Sequence, residues 1–126
     1  MTDLKEDASF DAGADRAREP EGLWEDAEPG VKRRIFAPGE RLMMMEVRFE
    51  AGAEGYMHSH PHEQMSYCLK GAIEFTIGDA KRIVRAGETV VIPGGVLHGV
   101  KALEPSALLD AFTPLRDDLL AGRAFA

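Results

Sequence analysis

Cysteine is almost absent from this chain: of its 126 residues only Cys68 carries a thiol, so no disulfide can form within the chain. No apolar run approaches the roughly 20 residues that a membrane-spanning helix needs. The first residues are charged and lack the apolar segment of a secretory signal. The length is sufficient for one domain. These features predict a cytoplasmic protein with no membrane partner.

An excess of basic residues is also missing, since 15 Lys and Arg stand against 22 Asp and Glu. Residues 1–28 carry ten acidic and three basic side chains, whereas residues 29–126 carry twelve of each. Phosphate binding needs clustered Lys and Arg, so we expect no nucleic-acid partner. We predict an acidic flexible tail over residues 1–21 and a single folded domain over residues 22–126.

Long helical patterns are absent as well, and short strands separated by turns begin at Val31. Residues 43–50 alternate between apolar and polar side chains, which is typical of a half-buried strand. About eight such segments predict an all-β sandwich or barrel. The pair Thr113-Pro114 predicts a helix with Pro at its first position and acidic residues in its first turn. We therefore expect one short C-terminal helical turn.

Histidines form the densest functional signal, because three of the four lie within five residues. On a strand, His58 and His60 would point to the same face and could bind one cation. Gln64 lies at an even offset from His60, so its amide oxygen could reach the same point. A neighbouring strand could supply His98 as the remaining ligand.

Two residues beside these candidates have other interpretations. Glu63 is a rival ligand, but its odd offset from His60 places it on the opposite face of a strand. His62 is better explained as a residue at the rim, or as one that orients a ligand, than as a ligand itself.

The spacing of these residues resembles the two motifs of the cupin superfamily. Five residues separate Gly52 from His58, and the same motif continues through His60 and Gln64 to Gly71; the second motif runs Gly87, Pro93, Gly95 and His98. The resemblance covers residues 31–120 in round terms. It implies a double-stranded β-helix, or jelly-roll barrel. It also implies one divalent metal ion, held inside by His58, His60, Gln64 and His98.

Two positions depart from the usual cupin pattern: Gln64 stands where Glu is common, and Ala102 stands where Asn is common. Three neutral histidines and an amide leave a divalent ion with its full positive charge. That charge favours a Lewis acid that polarises oxygen ligands. The identity of the metal stays open among Ni, Zn, Mn and Fe, which all accept such ligands.

A narrower resemblance concerns residues 60–64 and 110–118, which are similar to the KdgF-type pectin-degradation cupins. That family converts 4,5-unsaturated uronates, released from pectin or alginate, into linear keto sugars. The resemblance implies that Asp110 moves protons, that Arg116 holds the substrate and that Phe112 lines the pocket. The local sequence is consistent with a role for Asp110, because Leu108 and Phe112 would lie on the same face of a strand. Burying a carboxylate between two large apolar side chains is costly, so such an Asp is either misplaced or functional.

Several expectations remain open at this point. Tyr67 could place its hydroxyl in the mouth of the barrel and contact a small-molecule substrate. An enzyme is favoured, but an iron-dependent dioxygenase and a non-catalytic ligand-binding cupin with a structural metal are alternatives. Exposed edge strands favour pairing of subunits, so we expect a homodimer to which residues 22–36 contribute.

Overall fold

A computed structural model describes residues 23–123 and 125, so the predicted acidic tail lies outside the described residues. The described part contains ten strands and one helix. The strands are β1 Glu25–Asp26, β2 Val31–Ile35, β3 Met43–Phe49, β4 Glu54–His58, β5 Glu63–Lys70, β6 Ala72–Ile77, β7 Ala80–Arg85, β8 Thr89–Ile92, β9 His98–Ala102 and β10 Ser106–Thr113. The helix is α1, Asp117–Leu120. Within these residues no helix is long and apolar enough to cross a membrane.

The strands form two antiparallel sheets that enclose a common core. One has six strands in the order β1-β2-β3-β10-β5-β8, and the other has four in the order β4-β9-β6-β7. Side chains from both sheets meet in the core, including Phe75 of β6 and Leu108 of β10. The jelly-roll predicted from the sequence is confirmed.

Alternation along β5 brings polar side chains into this interior. Gln64, Ser66 and Cys68 are buried, whereas Met65 and Tyr67 between them are exposed. Strand β10 lies between β3 and β5, and its register places Asp110 opposite Met45 on one side and Ser66 on the other. Phe112 is opposite Gln64 in the same ladder. Polar residues of β5 and β10 therefore share one inward-facing surface.

The C-terminal helix begins later than the sequence predicts. It starts at Asp117, so Pro114 is not its first residue, and the Thr113–Pro114 peptide is cis. Side-chain contacts hold the segment before the helix in place: the Arg116 N–H donates to the Met43 sulfur at 3.1 Å, and the His62 ring bonds the Leu115 carbonyl at 3.0 Å. The predicted acidic residues do occupy the first turn.

An ion pair connects the first strand, β1, to the residues after α1. The Arg123 guanidinium donates to both carboxylate oxygens of Glu25, at 3.0 and 2.7 Å. Arg33 of β2 donates to the same carboxylate at 2.8 Å. One acid therefore joins β1, β2 and the C-terminal segment.

Candidate metal centre and its pocket

Three histidines converge at one end of the four-stranded sheet. His58 ends β4 and His98 begins β9, and the two residues are direct partners in the antiparallel ladder. His60 follows in the loop after β4. Each ring offers one nitrogen such that the three atoms lie within 4.8 Å of one another. This group, the three-histidine cluster, could hold one metal ion.

Glycines make this convergence possible. A Cβ atom at Gly94 would overlap the carbonyl group of Pro61, so a side chain there would push the two loops apart. Gly95 adopts a φ of +84°, which favours glycine, and its N–H donates to the His60 carbonyl at 2.8 Å. Gly94 and Gly95 therefore hold the loop before β9 against the loop that carries His60.

The hydrogen bonds of the rings leave nitrogen lone pairs for a ligand. His58 and His98 each donate from Nδ1 to a backbone carbonyl two residues earlier, both at 2.8 Å. Because a carbonyl only accepts, Nδ1 carries the proton and Nε2 keeps its lone pair. The Nε2 of His98 is buried and has no hydrogen-bond partner among the described residues. An orphaned buried nitrogen of this kind fits a metal ligand.

The electrostatics of the cluster favour uncharged rings. Burial is the main cause that lowers the pKa of His60 to about 4, and the nearby Arg116 charge adds to it. Burial also lowers the pKa of His98 below its ordinary value. Neutral imidazole is the form that binds a metal, so near pH 7 these two rings need not lose a proton first.

A chain of polar side chains continues from the cluster into the six-stranded sheet. His60 Nε2 lies 3.0 Å from the Gln64 amide oxygen, and the Gln64 amide nitrogen donates to the Ser66 hydroxyl at 3.0 Å. Ser66 in turn donates to the Asp110 carboxylate at 2.6 Å. We call Gln64, Ser66 and Asp110 the polar chain. It links a buried acid to the cluster without an intervening gap.

Asp110 is the acid of the polar chain and is only 5% exposed. Burial raises the pKa of its carboxyl from 3.8 to about 6, although the hydrogen bond from Ser66 and the charge of Arg116 oppose the rise. A carboxyl with a pKa near 6 can both release and accept a proton around neutrality. Asp110 therefore has the properties of a general acid–base group.

Two histidines of the cluster and the acid face one cavity of about 280 Å³. His58, His98, Gln64, Asp110, Phe112 and Arg116 all line it. The cavity also reaches Ala27 and Glu28, which follow β1, and residues of β2 and β4. A cavity of this size lies near the lower end of the range for small-molecule sites.

The cupin domain family matches residues 45–112 of this chain. The chain belongs to the cupin family. It is 39% identical over 99 residues to the pectin degradation protein KdgF of Dickeya dadantii, which covers 77% of this chain and 90% of that protein. The resemblance to KdgF-type cupins is confirmed.

Solved structures support the same assignment. KdgF from Halomonas sp. superposes on this cupin with a TM-score of 0.74 and 42% identity, over 78% of this chain and 91% of that one. An RmlC-like cupin from Shewanella frigidimarina gives a TM-score of 0.73 and 33% identity, over 78% and 88% of the two chains.

Arg116 of this cupin is a buried cation at the pocket wall, only 7% exposed. Its Nε and one terminal nitrogen donate to the two carboxylate oxygens of Asp118, at 3.0 and 2.7 Å. Its guanidinium lies 4.9 Å from the centre of the Phe112 ring. These contacts fix the side chain, and the charge of Asp118 offsets part of its own.

Arg33 is a second cation of the pocket, and the sequence analysis missed it. It lies on β2 between the buried residues Val31 and Ile35, and it lines the cavity. Its register partner Val47 belongs to the core, so Arg33 shares the inward face. The sequence did contain a signal for this position, since Arg33 lies two residues from Val31 and two from Ile35, the spacing of one strand face. The signal was overlooked because the bounds of β2 were not predicted.

Tyr67 lies on the opposite face of β5 from the pocket, contrary to the sequence expectation. Its side chain is 40% exposed, and it is not among the residues that line the cavity. Gln64 points inward, and an odd offset of three residues turns Tyr67 outward. Glu63 is likewise exposed and lies outside the three-histidine cluster.

Proposed function

We propose that this cupin is a metal-dependent enzyme that opens the ring of a 4,5-unsaturated uronate to give a linear keto sugar. The observation that carries the proposal is the buried carboxyl of Asp110, which lines the same cavity as His58 and His98 of the three-histidine cluster. The names of two relatives support the class of substrate: one is called a pectin degradation protein, and both are called KdgF.

The proposed reaction is an isomerisation that needs one proton to be moved. The C1 hydroxyl loses its proton as the bond between C1 and the ring oxygen breaks, which leaves an aldehyde at C1 and an enolate at C5. A proton then adds to C4, and the enolate becomes a ketone. Atoms and electrons balance without an oxidant, a reductant or a net water molecule.

Asp110 is proposed to carry that proton. With its pKa near 6, the carboxylate accepts the C1 hydroxyl proton and the resulting acid delivers it to C4. Ser66 holds one carboxylate oxygen by a hydrogen bond of 2.6 Å, which fixes the orientation of the group. A single carboxyl therefore serves both halves of the transfer.

The two arginines are proposed to bind the substrate carboxylate. Arg116 and Arg33 both line the cavity, and a guanidinium matches the geometry of a carboxylate. Arg33 reaches Glu25 through Nε, so the terminal nitrogens of its guanidinium lie outside that contact. Phe112 supplies an apolar wall beside Arg116.

The proposed cofactor is one divalent ion of Ni, Zn, Mn or Fe, with His58, His60, His98 and Gln64 as its ligands. When bound, such an ion orients substrate hydroxyls and stabilises negative charge that develops on oxygen. The Gln64 amide oxygen is proposed as the fourth ligand because it already lies beside the His60 ring nitrogen, 3.0 Å away.

The proposal is tested by turnover of an unsaturated galacturonate, prepared from pectin with a lyase and followed by loss of its ultraviolet absorbance. We expect metal-loaded protein to exceed the spontaneous rate, and a chelator to remove the excess. Oxygen-free buffer should leave the rate unchanged, which separates this activity from a dioxygenase. A rate equal to the spontaneous one with metal-loaded protein would overturn the proposal.

A homodimer in the cytoplasm completes the proposed picture. Residues 22–36 include β1 and β2, which lie at one edge of the six-stranded sheet. Edge strands of this kind are often covered by a second subunit. Light scattering should then give twice the chain mass of 13.8 kDa, and a mass of one chain would contradict the dimer.

A further inference from the structure

Ser66 lies fully buried between two groups of the candidate site, and the proposed proton transfer uses its contact with Asp110 but not its contact with Gln64. Its relative exposure is 0%. The hydroxyl contacts Gln64 on its own strand and Asp110 on the neighbouring strand, at 3.0 and 2.6 Å. Asp110 and Ser66 are direct partners in the ladder between β10 and β5, so the backbone holds this contact in place.

The directions of these hydrogen bonds follow from counting protons. A serine hydroxyl has one proton to donate, and a carboxylate can only accept. Ser66 therefore gives its proton to Asp110 and uses a lone pair to accept from Gln64. The Gln64 group that donates must be its amide nitrogen, which turns the amide oxygen toward His60.

We propose that Ser66 is a positioning residue that fixes the Gln64 amide with its oxygen facing the three-histidine cluster. The inference rests on the metal centre of the proposed function, but it does not depend on the reaction. Without Ser66, the Gln64 amide nitrogen would lose one of its two acceptors, Ser66 and Asp110, and with it part of the preference for this orientation. The amide oxygen would then be held less firmly toward the cluster.

The same geometry explains why glutamine suits position 64 where cupins commonly have glutamate. A carboxylate at position 64 could not donate to Ser66, and the single Ser66 proton could satisfy only one of two acids. Two carboxylates joined through one hydroxyl would also repel each other in a buried site. The amide supplies the donor and avoids the second charge.

The test compares Ser66→Ala with a matched control, Ser106→Ala. Ser106 is also a buried serine, and its hydroxyl contacts only backbone groups of Ala72 and Glu104. Chelator-stripped proteins are titrated with Ni²⁺ by calorimetry. We expect Ser66→Ala to bind Ni²⁺ at least about 10-fold more weakly than the parent, the range seen when a group that orients a ligand is removed. Ser106→Ala should bind as the parent does.

The visible spectrum of the Co²⁺-loaded proteins gives a readout that a purely structural role would not change. Ser66→Ala should shift the Co²⁺ bands toward those of Gln64→Ala, and Ser106→Ala should keep the parent spectrum. Parent-like affinity and spectrum in Ser66→Ala would overturn the inference and leave the proposed function standing. Metal binding without turnover would remove the reaction and leave the inference intact, and a parent protein that binds no metal would remove both.

Discussion

The Asp110 carboxylate lies 2.6 Å from the Ser66 hydroxyl, and the two residues are register partners on β10 and β5. The contact joins the acid to the Gln64 amide and through it to the histidines. A substitution at Asp110 should therefore affect Gln64, and a substitution at Gln64 should affect Asp110.

Replacing Asp110 with Asn should lower kcat for the unsaturated uronate by about 100-fold or more, because the proton carrier is lost. The exposed acid Asp117 provides a matched control, and Asp117→Asn should keep parent activity. Steady-state rates with metal-saturated proteins measure both. Full activity in Asp110→Asn would rule out its assignment as the acid–base group.

The same Asp110→Asn variant should be at least as stable as the parent at pH 7. The folded-state pKa of Asp110 is raised to about 6 by burial, so its ionisation destabilises the fold as pH rises through that value. Asn removes that cost. Thermal unfolding of the chelator-treated proteins is the measurement, and a clearly lower Tm for the variant at pH 7 would contradict the argument.

Changing Gln64 to Glu should lower the Tm of the metal-free protein, since two buried acids would then share the Ser66 proton. Adding Asp110→Asn to this variant should recover most of the loss. The interaction energy from the double-mutant cycle should be on the order of 1 kcal/mol or more, as expected for groups in one hydrogen-bond network. Additive effects of the two changes would show that the acids are not coupled.

Arg33→Met should raise KM for the unsaturated uronate about 10-fold with little change in kcat, because a charge that binds substrate is lost away from the reacting atoms. Arg123→Met is the matched control. Arg123 donates to the same Glu25 carboxylate but does not line the cavity. Equal KM values for the two variants would mean that Arg33 acts only through its ion pair.

Low pH should weaken the ion pair that connects β1 to the residues after α1. Hydrogen bonds from Arg123 and Arg33 lower the pKa of Glu25 from 4.5 to about 2. The stabilisation is therefore fully present above pH 4.5 and is lost as pH falls toward 2. It should amount to on the order of 1 kcal/mol, since the pair is partly exposed. A pH series of Tm values should show a smaller acid-induced decrease for Glu25→Gln than for the parent.

Spacing in the sequence predicted that the three histidines converge and that Asp110 faces inward, because residues at even offsets on a strand share one face. Even offsets placed Asp110 and Phe112 on the inward face of a strand, and both line the cavity. Tyr67 was assigned to the wrong face because the sequence did not show that its strand, β5, starts at Glu63. With that start known, Gln64 inside would have implied Ser66 inside and Tyr67 outside.

Other features depend on contacts between distant residues. The even spacing of Arg33 from Val31 and Ile35 indicates an inward-facing side chain, but only the pairing of β2 with β3 brings it to the cavity. The late start of α1 reflects contacts of residues 115 and 116 with His62 and Met43. Local sequence around Pro114 favours an earlier start, and these tertiary contacts override it.

The ion pair between Glu25 and Arg123 also bears on how this protein can be engineered. Residues 98 positions apart in the chain meet there, so a short peptide could join the two regions directly. New ends could then be opened at the tight turn of Gly78-Asp79, between β6 and β7. Such a circular permutant would interrupt none of the described strands and would place the new ends between β6 and β7.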